Sequence, residues 1–290
     1  MITTNATVSQ RTTATLLALA AILIWSSLAV FGATMKSMPP FLLLGVTLLL
    51  SGSVSLVRRR AWRVPLITLL VGVGGIFGYH FLYFRAFALA PAVEANLINY
   101  LWPLLIVVLS PLFLGYRLHA QHILGALLGL AGAALIVSGG RFSLQFAYLP
   151  GYLLAFGAAV TWSVYSLLTK RLPPFETDAV AAFCAVSGAL SLLLYFFTGG
   201  SLVTIQALTA KDWLLLVLIG AGPMGAAFFF WDAALKRGDP RMIGSLAYLT
   251  PLLSTINLAL FAGQHLNMVS LAAMGLIIGG AVLGSGNKQG

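Results

Sequence analysis

Charge is what this sequence has least of. Lys, Arg, Asp and Glu make up 8% of its 290 residues, against about a quarter in soluble domains, and only six of them are acidic. A chain so poor in charge and 60% hydrophobic reads as an all-α polytopic membrane protein with the lipid bilayer around it. Cysteine is nearly absent too. Cys184 stands alone in an apolar run, which excludes an internal disulfide and a cysteine metal site. Acid–base pairs for catalysis are missing: His119 and His122 share a turn without acids, and His265 sits in a loop. These absences argue against an enzyme, a metal and a cofactor. The net charge of +10 would suit nucleic acid if it were clustered, but the basic residues stand at the ends of apolar segments, so no nucleic-acid partner is expected. Residues 1–15 are polar with one charge, unlike a cleaved signal peptide.

What is present is apolar length. Crossing the hydrocarbon takes about 20 residues, and ten segments qualify: 14–34, 40–57, 64–86, 89–112, 122–138, 149–169, 179–198, 212–235, 241–262 and 268–285. With the N-terminus inside, twelve of the sixteen Lys and Arg fall on the inner side, Arg58, Arg59, Arg60 and Arg63 among them. The outer side keeps Lys36, Arg85, Arg141 and Lys211. That bias predicts both termini in the cytoplasm. Trp62 and Trp213, at segment starts beside charges, read as interfacial anchors.

The two halves of the chain resemble each other. Trp25-Ser26 returns as Trp162-Ser163, Pro39-Pro40-Phe41 as Pro173-Pro174-Phe175, and Tyr100-Leu101-Trp102-Pro103-Leu104-Leu105 as Tyr248-Leu249-Thr250-Pro251-Leu252-Leu253. The predicted architecture is two inverted five-helix repeats, 1–145 and 146–290, because an odd number of spans turns the second copy upside down. Inverted repeats mark secondary transporters with a substrate site near midplane, although duplication also serves channels. The small-residue runs Gly125 to Gly129 and Gly275 to Gly279 either pack helices within the chain or pair protomers in a homodimer.

Polar residues inside the apolar segments supply the site candidates. At 100° per residue, Asn96, Asn99, Tyr100 and Pro103 share an arc of about 100°. Two amides would not face lipid, since each unpaired polar group costs several kcal/mol there. That face therefore looks at protein or at a water-filled cavity. Pro103 frees the carbonyl four residues back. A proline kink with its amides bonded to a neighbouring helix explains the same pattern, but the repeat argues for a task. Tyr248 and Pro251 match Tyr100 and Pro103, whereas Gly244, Ala247 and Thr250 stand against Asn96, Asn99 and Trp102. In the third segment, Tyr79, His80 and Tyr83 follow the cluster Gly72, Gly74, Gly75 and Gly78. Core packing is the plain account of the tyrosines, and a satisfied hydrogen bond that of the histidine. An ionisable group inside a membrane is nonetheless a functional suspect. From the second half Trp162, Tyr165 and Tyr248 join the candidate wall. Arg85 and Glu94 face each other across a short loop and read as an outer ion pair, with substrate attraction or proton coupling as the alternative. Asp232 and Lys236 read as a local pair.

With these residues in place, the chain resembles the drug/metabolite transporter superfamily in its EamA-type ten-span form. The resemblance rests on the Trp-Ser pairs, the half-ending Leu114-Gly115-Tyr116-Arg117-Leu118 and the run Gly125 to Gly132. Where that family often carries an acid, this chain has Tyr116 and Gln264. The stretch from Glu94 to Pro103 is similar to the YddG-type aromatic amino-acid exporters of bacterial inner membranes. The resemblance implies export of aromatic and other neutral amino acids. Exporters of quaternary or aromatic cations, or of other small metabolites, are the alternative, because aromatic walls also hold cations. His80 and Glu94 are the only proton carriers near such a path, and proton antiport and facilitated diffusion both stand.

Overall fold

The computed structural model describes residues 8–35, 37–141, 143–262 and 268–285. Lys36, Gln264, His265 and Lys288 lie outside them. Every regular element among the described residues is helical, and ten spans are long and apolar enough to cross a membrane. In chain order, spans one to five are Ser9–Phe31, Pro40–Val57, Leu66–Leu89, Ala92–Leu114 and Ala120–Ser138. Spans six to ten are Phe146–Leu168, Ala179–Phe197, Ala210–Arg237, Pro240–Phe261 and Met268–Ser285. The chain is an all-α polytopic membrane protein. The expected segments and the observed spans differ by a few residues, most at the first start, which moves from 14 to 9.

Local chemistry sets the ends. Pro91 holds Ala90 extended at φ −146° and ψ 156°, which separates spans three and four. Pro40 and Pro240 occupy the opening turns of their helices, where a missing N–H costs nothing. Thr209 and Asp212 cap span eight reciprocally, each side chain taking the other's backbone N–H.

Two kinds of irregularity recur in matched places. Spans three and eight each widen into a π turn, at Gly74–Gly78 and Gly222–Ala226. Spans four and nine each break at a tyrosine, Tyr100 and Tyr248. The sequence repeat thus recurs in the irregularities of the helices. The break in span four has a visible cause. The Tyr248 hydroxyl accepts from the Leu104 N–H at 3.2 Å and donates to the Tyr100 carbonyl at 3.1 Å. A regular helix would have joined those two backbone groups directly, so the phenol is wedged into the ladder.

Glycine lets the outer spans close up on each other. A Cβ at Gly125 would stand 2.6 Å from the Gly284 nitrogen and 2.7 Å from the Gly280 oxygen, so spans five and ten touch backbone to backbone. Gly52 and Gly188 do the same between spans two and seven. Gly125 and Gly129 are therefore spent within the chain, while Gly275 and Gly279 face open space.

Candidate functional site

A cavity of about 960 Å³ sits among the broken and widened spans. Its mouth lies among Phe31, Ala92, Val93, Gly139 and Val269, where spans one and five finish and spans four and ten begin. That is the end opposite the arginine-rich turn at Arg58–Arg63. Seven of the expected residues line it: Tyr79, His80, Tyr83, Asn96, Asn99, Trp102 and Trp162. No Lys, Arg, Asp or Glu is in its wall among the described residues.

Two pairs of polar side chains in the wall each keep bonding capacity free. Asn99 Nδ2 donates to the Tyr79 hydroxyl at 3.1 Å, which leaves the phenolic proton to be given elsewhere. Asn99 Oδ1 is buried and has no partner. Tyr83 donates to Asn96 Oδ1 at 2.9 Å, which leaves the Asn96 amide protons available. Thr250 Oγ1 is a second buried oxygen of the wall without a partner. His80 is committed: Ile76 O, 2.7 Å from Nδ1, can only accept, so the imidazole donates to the π turn of its own span. The satisfied histidine that the sequence allowed is what the structure holds.

Rings form the floor. Trp25, Trp102, Trp162 and Trp231, from spans one, four, six and eight, meet with centroids 5.2–6.5 Å apart. Most of these contacts are edge-to-face, the arrangement that the quadrupoles of the rings favour. Tyr79 stacks on Tyr83 at 5.6 Å and leans on Trp162 at 5.3 Å. Trp231, 1% exposed, is the most buried of the four and donates to Ser166 Oγ at 3.1 Å.

Three expectations about this region need correction. Tyr248 is fully buried and does not line the cavity, because its hydroxyl is consumed by the broken backbone of span four. Tyr165 does not line it either. It packs on Gly75, where a Cβ would collide with its ring. No ion pair joins Arg85 to Glu94: Arg85 is on an exposed face, and Glu94 keeps one buried oxygen without a partner. The carbonyls at the Pro103 kink are partly taken up as well, since Ser163 donates to Trp102 O at 2.9 Å. The sequence reasoning passed over Trp25, Phe228 and Thr250, all in the wall, and Tyr100, which it placed on the amide face without counting it as a wall candidate, lines the cavity too. Trp25 was within reach, being the repeat partner of Trp162.

Comparison with known proteins gives this geometry a family. The model of the EamA-like transporter family matches the chain twice, over residues 12–138 and 149–285. The chain belongs to the EamA-like transporter family. It is similar to the aromatic amino acid exporter YddG of Ancylobacter novellus, 42% identical over 94% of this chain and 97% of that protein. The exporter of the same name from Escherichia coli K12 is 24% identical over 66% of each chain. A crystal structure 41% identical in sequence superposes with a TM-score of 0.85, covering 94% of this chain and 96% of that one. An EamA-like transporter moves cargo without making or breaking bonds, so this chain is not an enzyme.

At the arginine-rich end of this EamA-like chain, Tyr116 takes cations on its ring. The Arg241 guanidinium lies 4.8 Å from the ring centroid and the Lys170 ammonium 6.0 Å. Burial pulls the Lys170 ammonium below its ordinary range, and Asp239 works against that.

Proposed function

We propose that this protein is a secondary transporter that exports aromatic and other neutral amino acids across the bacterial inner membrane through the ring-lined cavity. One observation carries the proposal: a large cavity holds rings and amides and, among the described residues, no formally charged side chain. A zwitterion has no net charge to neutralise. It needs an acceptor for its ammonium and donors for its carboxylate. Asn99 Oδ1 supplies the first, and the Tyr79 hydroxyl with the Asn96 amide supplies the second. The side chain then lies against Trp102 and Trp162, in the offset or edge contacts that aromatic rings prefer. Phosphorylated cargo would call for Lys or Arg in the wall, where the described residues supply none.

Other features support the setting. Twelve of the sixteen Lys and Arg stand at one end on the five-plus-five count, which supports a reading with both termini in the cytoplasm and the cavity mouth outside. The halves divide at 1–145 and 146–290. The names of the relatives point to amino-acid export. The same aromatic wall favours one rival, a quaternary or aromatic cation held by cation–π contact.

Counterflow in proteoliposomes separates the two. With labelled phenylalanine, tryptophan, a small neutral amino acid and a quaternary ammonium, the amino acids are expected to exchange and the cation is not. Trp102→Ala should slow aromatic amino-acid exchange by about tenfold, the value of one or two lost ring contacts, with normal membrane yield. Exchange of the cation alone, or parental exchange by the variant, would sink the assignment.

A further inference from the structure

The cavity closes at its inner end by more than the tryptophan floor. The linker 169–178, between spans six and seven, lies below Ser166 and is tied to four places in the fold. Lys170 Nζ donates to Gly238 O at 2.6 Å, just past span eight. Arg171 Nε donates to Phe113 O, near the end of span four. Arg58, at the end of span two, pairs with Asp178 at 3.0 Å. The fourth tie is buried in span eight. Thr177 Oγ1 donates to Asp232 Oδ2 at 2.7 Å, and Lys236 bonds that same carboxylate at 2.7 Å. Lys236 also donates to Phe175 O at 3.0 Å and sits 3.5 Å from the centroid of the Phe175 ring. Asp232 is 1% exposed, and its other oxygen has no partner.

The repeat shows that this device belongs to one end only. The cavity mouth lies at the end where the first half's equivalent linker runs. Whether the halves are aligned by their glycines or by their π turns, Phe84 or Arg85 stands against Asp232, and Ala88 or Leu89 against Lys236. The acid–lysine lock has no counterpart there.

We propose that the linker 169–178 is the inner closure of the transport path, and that the Asp232–Lys236 pair, through Thr177 and Phe175, is its releasable anchor. A buried ion pair sits near balance, because the attraction between the charges offsets the water they have lost. Water entering as the linker lifts restores hydration to both charges, so the anchor is specific in the closed state and cheap to release. Removing one partner leaves the other charge buried and alone, which favours the open state. The closure rests on the cavity being the transport path and on no particular cargo.

Thiol accessibility tests it without cargo, so a failure here is distinct from a failure of the amino-acid assignment. In a Cys184→Ala background, Ser166→Cys is the inner reporter, since Ser166 is fully buried beneath Trp231. Val137→Cys, in the cavity wall, is the outer reporter. A membrane-impermeant maleimide is applied from each face in turn. Asp232→Asn is expected to raise inner labelling by about tenfold, the value of the charge-assisted bonds lost, and to lower outer labelling. Thr177→Val, which keeps both charges and removes one hydrogen bond, should raise inner labelling less. It serves as the decisive variant if Asp232→Asn does not accumulate. Inner labelling at the parental rate in Thr177→Val, and in Asp232→Asn where it accumulates, overturns the proposal. So does a rise at both reporters together, which would mean a loosened protein rather than a released gate.

Discussion

Replacing Tyr248 with phenylalanine removes one oxygen and leaves the ring in its slot against Gly129. That oxygen now satisfies two backbone groups of span four, the Tyr100 carbonyl and the Leu104 N–H. Leaving a buried polar group unpaired costs about 1–3 kcal/mol. The two orphans can recover part of that by bonding to each other, as they would in a regular helix, but only if span four straightens at Tyr100. The variant must therefore either carry the full cost as lost stability or lose the break that aims Asn99 and Trp102 at the cavity. A net loss of about 1–3 kcal/mol is expected, seen as a lower melting temperature in detergent, with amino-acid counterflow reduced alongside. Tyr100→Phe is the control. Tyr100 is the repeat partner of Tyr248, and its hydroxyl has no hydrogen-bond partner among the described residues. It should melt as the parent does. If Tyr248→Phe melts and transports like the parent, the hydroxyl is not what holds span four open, and the account of the break fails.

Three further outcomes are expected. Asn99→Ala should weaken neutral amino-acid exchange more than Asn96→Ala, because Asn99, unlike Asn96, offers a buried acceptor without a partner; equal or reversed losses in counterflow would count against the ammonium assignment. Gly125→Leu should destabilise the protein by more than about 1 kcal/mol, the scale of overpacking, since backbone rather than a movable side chain stands in the way, whereas Gly279→Leu, facing open space, should leave the melting temperature unchanged. Burial raises the Asp239 carboxyl, but the Arg241 side chain and backbone N–H outweigh it and hold the group below the usual carboxylate range. A depressed acid contributes stability above its unfolded value near pH 4 and gives it up as pH falls further, so Asp239→Asn should lower the melting temperature at neutral pH and flatten its decline in acid.

Much of the fold could be read from the chain because the bilayer allows few solutions. Apolar length, the prolines at helix starts and the recurrence of Trp-Ser and Tyr-Leu-x-Pro were enough for ten spans in two copies. The first-half wall was legible for a related reason: amides in an apolar segment have nowhere to face but protein or water. Tyr248 and Tyr165 were misplaced because an aromatic residue at midspan serves a wall and a core equally well. Only the backbone of span four and the glycines of span three decide between those roles, and both lie far off in sequence. The Asp232–Lys236 pair was legible at its spacing of four, but Thr177 and Phe175, which make it a tie between elements, were not.

Tyr100 and Tyr248 show how a duplicated chain separates tasks. Both copies kept the phenol and the proline, and both spans still break there. One ring is sealed in the core as a clamp on the other copy's backbone, and the other lines the cavity. Two clamps would leave the wall with one polar group fewer, and two wall residues would leave span four's open backbone without a partner. The division of labour follows from one geometric fact: the second copy's phenol reaches the first copy's broken turn while the first copy's phenol stays uncommitted. The same reasoning explains why the amides could gather in a single copy. Once the second half supplies the brace, the first half is free to hold its polar groups toward water.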